Sequence, residues 1–281
     1  MKIKITAEST LDMTEEQLAH FGITKIPLTV QLGDETHTDG VDLDAEGIFS
    51  YVAKTGILPK TCAIPPVQFE DFFREQLDAG YDAVIHFCIS SKLSSCYQNA
   101  CLAAEEVGNV YVVDTLSLST GMALLAIEAA EMAAKEDADA AAIAETCRTL
   151  AGRLNVSFVL GDLEYMRKGG RCSAVEMFGA NLLKLRPVLE MKDGSLGVCN
   201  KLRGPLTKVT TAYIAERLAG KKILHNRVFF TSTCTEPTIP DLGKATLEAT
   251  GLFDEILVSK AGCTVTSHCG KDTFGVLFIE E

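Results

Sequence analysis

Ser90-Ser91-Lys92-Leu93-Ser94-Ser95 gathers hydroxyls where an apolar run ends and a helix-forming run begins. Ala83-Val84-Ile85-His86-Phe87-Cys88 reads as a buried strand, and Cys101-Leu102-Ala103-Ala104 as part of a helix. At the start of a helix, unpaired N–H groups and the helix dipole favour an anion, and hydroxyls can add hydrogen bonds. The same serines also suit ordinary helix capping. Partners from other segments decide between the two.

Three other segments offer such partners. In Lys60-Thr61-Cys62-Ala63-Ile64-Pro65-Pro66, Thr61 presents a hydroxyl from a loop just upstream of a helix opened by proline. In Leu163-Glu164-Tyr165-Met166-Arg167-Lys168-Gly169-Gly170-Arg171, two glycines allow a tight exit from a short helix, and Arg171 beyond them can aim its planar fork at an anion. In Thr266-Ser267-His268-Cys269-Gly270-Lys271, His268 stands among small residues in a late loop, able to hydrogen-bond a carboxylate or phosphate. A fourth hydroxyl-rich turn, Asp114-Thr115-Leu116-Ser117-Leu118-Ser119, is explained by structural capping through Ser117 or Ser119.

Composition narrows the chemistry. A net charge of −12 argues against DNA or RNA, where cations supply much of the affinity, and against adhesion to an acidic membrane surface. No stretch reaches the ~18 apolar residues of a membrane span, so no stable membrane insertion is expected. Met1-Lys2-Ile3-Lys4-Ile5 runs straight into a strand pattern without the apolar core of a signal peptide, which points to the cytoplasm. The 10 cysteines are scattered, with no C-x-x-C pair and no zinc-like spacing. Reduced thiols, no metal and no cofactor are expected. Neither a P-loop nor a Gly-x-Ser-x-Gly elbow is present.

The elements that must position these residues alternate between strand and helix. Lys2 to Thr6 and Ile23 to Leu32 read as strands, the second interrupted by Pro27 and so at an edge. A helix from Pro65-Pro66 runs through Phe69, Phe73 and Leu77, and the strand Val110 to Val113 follows the serine-led helix. Alanine-rich helices then extend from Ser119 to Leu154, broken near Glu136-Asp137. Apolar strands alternating with helices imply a largely parallel sheet covered on both faces. After Leu154 the pattern changes. It gives a strand at 156–160, a helical stripe of Val175, Phe178, Leu182 and Leu183, and strands at 185–191 and 196–201 about a Lys192-Asp193-Gly194-Ser195 turn. A helix at 206–218, a strand at 227–232, another helix, and strands near Ile256 and Phe274 complete the chain. The expected fold is α/β with two α/β domains, residues 1–155 and 156–281.

Taken in order, these motifs resemble the DegV family of bacterial fatty-acid-binding proteins, nearly end to end. The resemblance rests on Glu8-Ser9-Thr10-Leu11-Asp12 after the first strand and Thr61 in a Thr-Ser-Gln-Pro-Ser type loop. It rests further on Ser90 to Gln98 in a Ser-Ser-x-Leu-Ser-Gly-Thr-Tyr-Gln motif, on Leu163 to Arg171 in a Leu-x-Tyr-x-x-Lys-Gly-Gly-Arg motif, and on His268 before a C-terminal glycine. Cys62-Ala63-Ile64 replace Ser-Gln-Pro, Ser95-Cys96 replace Gly-Thr, and Cys269 with Lys271-Asp272 alter the last loop. The family implies a long-chain fatty acid held between the domains. By position, Thr61 and Ser94 would contact its carboxylate, Ser95 would lie beside it through its N–H, and His268 and Arg171 would face the same end. The family also implies a non-catalytic protein that presents its fatty acid to a separate fatty acid kinase subunit, yielding an acyl phosphate for phospholipid synthesis.

A buried acyl chain and a buried carboxylate make opposite demands. About 14 methylenes at roughly 0.8 kcal/mol each supply a gross gain near 11 kcal/mol, whereas the carboxylate must find donors. The hydroxyls and imidazole answer the second demand. The helical stripe from Val175 to Leu183 is a candidate tunnel wall. Two alternatives stay open: a small-molecule hydrolase or phosphotransferase with His268 as acid/base, and a partner-docking module with Arg167, Lys168 and Arg203 as a basic ridge.

Overall fold

Ile3–Glu8 (β1), Thr24–Ile26 (β2), Ala83–Cys88 (β6) and Val110–Asp114 (β7) form an all-parallel sheet in the order β2-β1-β6-β7. The computed structural model describes residues 1–173 and 185–281, so the stripe of Val175, Phe178, Leu182 and Leu183 lies outside the described residues. Every residue of β6 is buried, as its unbroken apolar run requires when helices cover both faces. Pro66–Asp78 (α3) and Cys96–Val107 (α4) pack on each other and on β6. Thr120–Ala133 (α5) and Ala140–Ala151 (α6) form the other pair.

The segment 23–32 departs from the sequence reading. It is two strands in two sheets, because Pro27 has no N–H to continue the ladder. The Leu28 N–H turns instead to Ser9 Oγ at 3.1 Å. β2 ends at the edge of the parallel sheet, and Thr29–Leu32 (β3) enters a second, antiparallel sheet. Its partners are Glu35–Thr38 (β4) and Lys60–Cys62 (β5), in the order β4-β3-β5. Thr61 is therefore held in an edge strand, not a loop. Two helices with ordinary start signals escaped the sequence reading. Glu15–Phe21 (α1) opens on a Thr14/Gln17 capping box, and Ala45–Thr55 (α2) opens on Asp44, whose carboxylate accepts from the Gly47 N–H.

The six-stranded sheet takes its strands from Leu154 onward. Leu154–Val159 (β8), Leu185–Lys192 (β9), Ser195–Arg203 (β10), Arg227–Ser232 (β11), Glu255–Lys260 (β12) and Phe274–Ile279 (β13) run in the order β10-β9-β8-β13-β11-β12. Only the β11–β12 pair is parallel. Leu163–Gly169 (α7) follows β8, Leu206–Leu218 (α8) packs on Thr238–Glu248 (α9), and Cys263–Cys269 (α10) precedes the last strand.

α5 explains how the halves meet. It touches β1 and β6 of the first sheet and β8 and β13 of the large one, and residues 120–129 are all buried. Over these ten residues the helix is sandwiched between sheets and has no solvent face, hence its apolar composition there. Thr120 and Thr231 hydroxyls meet across this junction at 2.6 Å. No helix among the described residues is long and apolar enough to cross a membrane. No disulfide joins cysteines among the described residues, and most of these side chains are buried.

Candidate functional site

His268 is placed by α10, which the sequence reading took for a loop. Seven residues make a marginal helix unless its ends are fixed. Asp39 fixes the first turn: Oδ1 accepts from the Cys263 N–H at 2.7 Å, and Oδ2 from the Thr264 N–H at 3.2 Å and its hydroxyl at 2.7 Å. Asp12 Oδ1 accepts from the Gly262 N–H at 2.8 Å, and Ser119 Oγ donates to Asp12 Oδ2 at 2.5 Å. Such oxygen acceptors satisfy the unpaired N–H groups at the start of the helix. Ser119 thus serves Asp12 and makes no side-chain cap on α5, and the Ser117 hydroxyl is buried without a partner among the described residues. The capping role expected of this pair is corrected accordingly. No signal at the sequence level linked Asp12 and Asp39 to a helix more than two hundred residues away.

At the far end of α10, His268 Nε2 lies 2.9 Å from Thr61 Oγ1 on β5. Burial pushes the imidazole pKa down to about 4, with the Arg171 charge adding to the effect, so the ring is neutral near pH 7. Its Nδ1 is buried and has no hydrogen-bond partner among the described residues. That nitrogen lies against Gly169, where an added Cβ would stand 2.6 Å away. Gly170 then takes φ 68° and turns the chain out of α7. Arg171, exposed, bends back so that Nη1 donates to the Gly169 carbonyl at 2.7 Å.

The serine segment closes the opposite wall. Ser94 Oγ accepts from the Cys96 N–H at 3.2 Å, so it caps α4 locally while lining the cavity. Ser95 is the N-cap residue of α4 without a side-chain cap, and its N–H has no acceptor among the described residues. Ser90 Oγ donates across to the Gly194 carbonyl at 2.6 Å, tying this loop to the β9–β10 turn.

Thr61, Ser94, Ser95, Arg171 and His268, each singled out from sequence, line one cavity of about 200 Å³. Leu28, Ala63, Ile89, Leu93, Leu118, Met166, Leu196 and Val265 supply its apolar wall among the described residues, together with Cys62 and Cys269. A second cavity of about 30 Å³ shares the side chains Leu118, Val265 and Cys269 with it as a common wall and is lined further by Phe158, Phe274 and Leu277. The first cavity is polar where Thr61, Ser94, Ser95, Arg171 and His268 line it and apolar over most of its remaining wall.

Gly169→Ala tests the mouth. The new methyl must push the imidazole off Thr61, so affinity for the cavity's ligand falls about tenfold, the scale of one hydrogen bond to a charged group. Gly152→Ala, where the nearest atom is at ordinary contact distance, leaves affinity unchanged in the same titration.

The family model described as uncharacterised protein, DegV family, matches residues 2–281. A "Fatty acid-binding protein" of Thermotoga maritima is 31% identical over 289 residues, covering 98% of this chain and 96% of that protein. A DegV domain-containing protein of Caldanaerobacter subterraneus is 29% identical, over 100% of this chain and 99% of its own length. Among solved structures, a fatty-acid-binding DegV family protein from Thermus thermophilus superposes with a TM-score of 0.89 at 29% identity, with 100% of both chains covered. With one family model spanning almost every residue and whole-length relatives in both sequence and structure, the chain belongs to the DegV family.

Proposed function

We propose that this protein binds a long-chain fatty acid, its carboxylate at Thr61, Ser94, Ser95, His268 and Arg171 and its acyl chain in the apolar cavity behind them. The observation that carries this reading is the convergence of those five residues, from separate elements, on one cavity whose remaining wall is apolar. The chemistry at the mouth suits a carboxylate. With the proton of the neutral imidazole on Nε2, His268 donates to Thr61 Oγ1, and the Thr61 hydroxyl proton is turned toward the ligand. The Ser95 N–H and the amino end of α4 add donors, and Arg171 supplies the opposite charge. The tail would follow Leu118 and Val265 toward Phe158 and Phe274.

Binding without turnover is the better reading of His268. Its Nδ1 meets Gly169 and no carboxylate, so the orienting partner of an acid/base histidine is missing among the described residues. The family resemblance extends the proposal to presentation of the bound acid, in the cytoplasm, to a separate ATP-dependent kinase subunit that forms the acyl phosphate. Arg171 is exposed at the mouth, where it could meet such a partner, and Arg167 and Arg203 are exposed cations elsewhere on the same half. Lys168 is engaged by Glu164 at 2.5 Å.

The experiment is extraction and mass spectrometry of protein purified from a bacterial host. Fatty acid recovered in stoichiometric amount is the expected result. An empty cavity that also fails to take up palmitate in titration overturns the reading. Adding the kinase subunit and ATP to loaded protein should then yield acyl phosphate; none formed removes the presentation step alone.

A further inference from the structure

Behind the serine loop lies a cluster of metal-ligating side chains that fatty-acid binding does not use. The parallel register sets Thr6 opposite His86, and so Glu8 beside Cys88, with all four on one face of the sheet. Glu8, His86 and Cys88 each offer a donor atom within 4.8 Å of the others, and each residue is 0% exposed. Each ligand is also oriented from behind. Thr6 Oγ1 lies 2.9 Å from His86 Nδ1, which fixes the ring against β1 and leaves Nε2 free of that contact. The Ile89 N–H and the Thr10 hydroxyl hold Glu8 Oε2 at 3.0 and 3.1 Å, which leaves Oε1. The two atoms so left, Glu8 Oε1 and His86 Nε2, are buried with no nitrogen or oxygen hydrogen-bond partner among the described residues, the Cys88 and Cys96 thiols alone facing the Glu8 carboxylate.

We propose that Glu8, His86 and Cys88 form a buried site for a zinc-class divalent cation. A mixed set of nitrogen, sulfur and oxygen donors suits zinc, and the outer contacts from Thr6, Thr10 and Ile89 are those that fix tautomer and orientation in such sites. Charge also balances. One thiolate, one carboxylate and a neutral imidazole cancel a dication, which is what burial demands. Binding releases the Cys88 thiol proton to solvent, and the Glu8 proton where that group is protonated. A second thiol, Cys96, faces Glu8 from the first turn of α4, next to Ser94 and Ser95. An ion here would brace that turn. The ligands come from two strands far apart in the chain, so no zinc-like spacing exists to be read.

Chelated, reduced protein titrated with Co²⁺ should bind one ion per chain and develop a thiolate-to-cobalt charge-transfer band; metal analysis of protein grown with zinc should give one zinc. Cys88→Ser and Glu8→Gln should each weaken Co²⁺ binding at least tenfold. Thr6→Val, which removes only the imidazole's outer partner, should weaken it roughly 10- to 100-fold. Cys199→Ser, at an exposed thiol elsewhere, should leave it unchanged. No stoichiometric uptake by the wild type, or uptake that survives both Cys88→Ser and Glu8→Gln, overturns the site. The wild-type titration decides even if a variant fails to fold.

Discussion

Replacing Thr61 with valine weakens palmitate binding by roughly 10- to 150-fold in a calorimetric or displacement titration. The expectation follows from geometry and from the cost of an unpaired charge. A hydrogen bond to a charged group contributes about 1.5–3 kcal/mol, and every 1.4 kcal/mol is tenfold in affinity. Valine keeps the shape and suits an edge strand, so β5 survives. What disappears is the hydroxyl that His268 orients at 2.9 Å. Ser94→Ala should cost a similar factor, but it also removes the acceptor of the Cys96 N–H and about 1 kcal/mol of helix-capping stability. The two substitutions act on one carboxylate, so their effects in the double variant will not add. Unchanged palmitate affinity in both single variants would place the ligand elsewhere.

The same site shows what sequence can and cannot carry. Hydroxyls at a strand-to-helix junction are a local signal, and Ser94 and Ser95 sit at the amino end of α4 as their neighbours foretold. The Gly169-Gly170 exit is local too, since Gly170 needs a positive φ and Gly169 must leave room for a ring. The element bearing His268 was not legible. Thr264, Thr266 and Ser267 look like loop residues, and the helix they form depends on Asp12 and Asp39, whose proximity is purely tertiary. Thr61 was likewise assigned to a loop because its strand, β5, is three residues long and pairs with a strand hidden behind Pro27. In the parallel sheet the sequence sufficed, because strands buried on both faces must be apolar throughout. The burial of α5 on every side needed the second sheet, which lies later in the chain.

Stability falls as pH rises from 6.5 to 8, mainly through Asp12 and by about 2 kcal/mol, and Asp12→Asn removes most of that fall. Burial is the main cause: it lifts the carboxyl from 3.8 to about 8, against the hydrogen bonds from Ser119 and Gly262. The facing charges are Asp39, which adds to the lift, and Lys25, which opposes it. Because the folded-state pKa lies above the unfolded one, the native protein holds a proton that the unfolded chain has already released. Stability from this group is complete below the unfolded pKa and is lost as pH rises through the folded one, at about 1.4 kcal/mol per unit. His268 works the other way. Its folded pKa of about 4 lies below 6.5, so between those values stability rises with pH, and the two groups offset each other there. Above 6.5 the histidine has little further effect, while Glu8, lifted by burial from 4.5 to about 7, loses stability in the same direction as Asp12, which carries the larger share of the fall. Asparagine keeps the neutral shape, accepting from Gly262 and donating to Ser119. Urea denaturation in the presence of chelator at pH 6.5 and 8 checks this, with a falling midpoint expected for the wild type and a clearly shallower fall, left by Glu8, for the variant. Since Asp12 seats the start of α10 and His268 sits near its end, fatty-acid affinity should decline over the same interval in the wild type and hold in Asp12→Asn. A wild-type midpoint as high at pH 8 as at 6.5 would mean that Asp12 is ionised in the fold, and that α10 tolerates two adjacent carboxylates at its start.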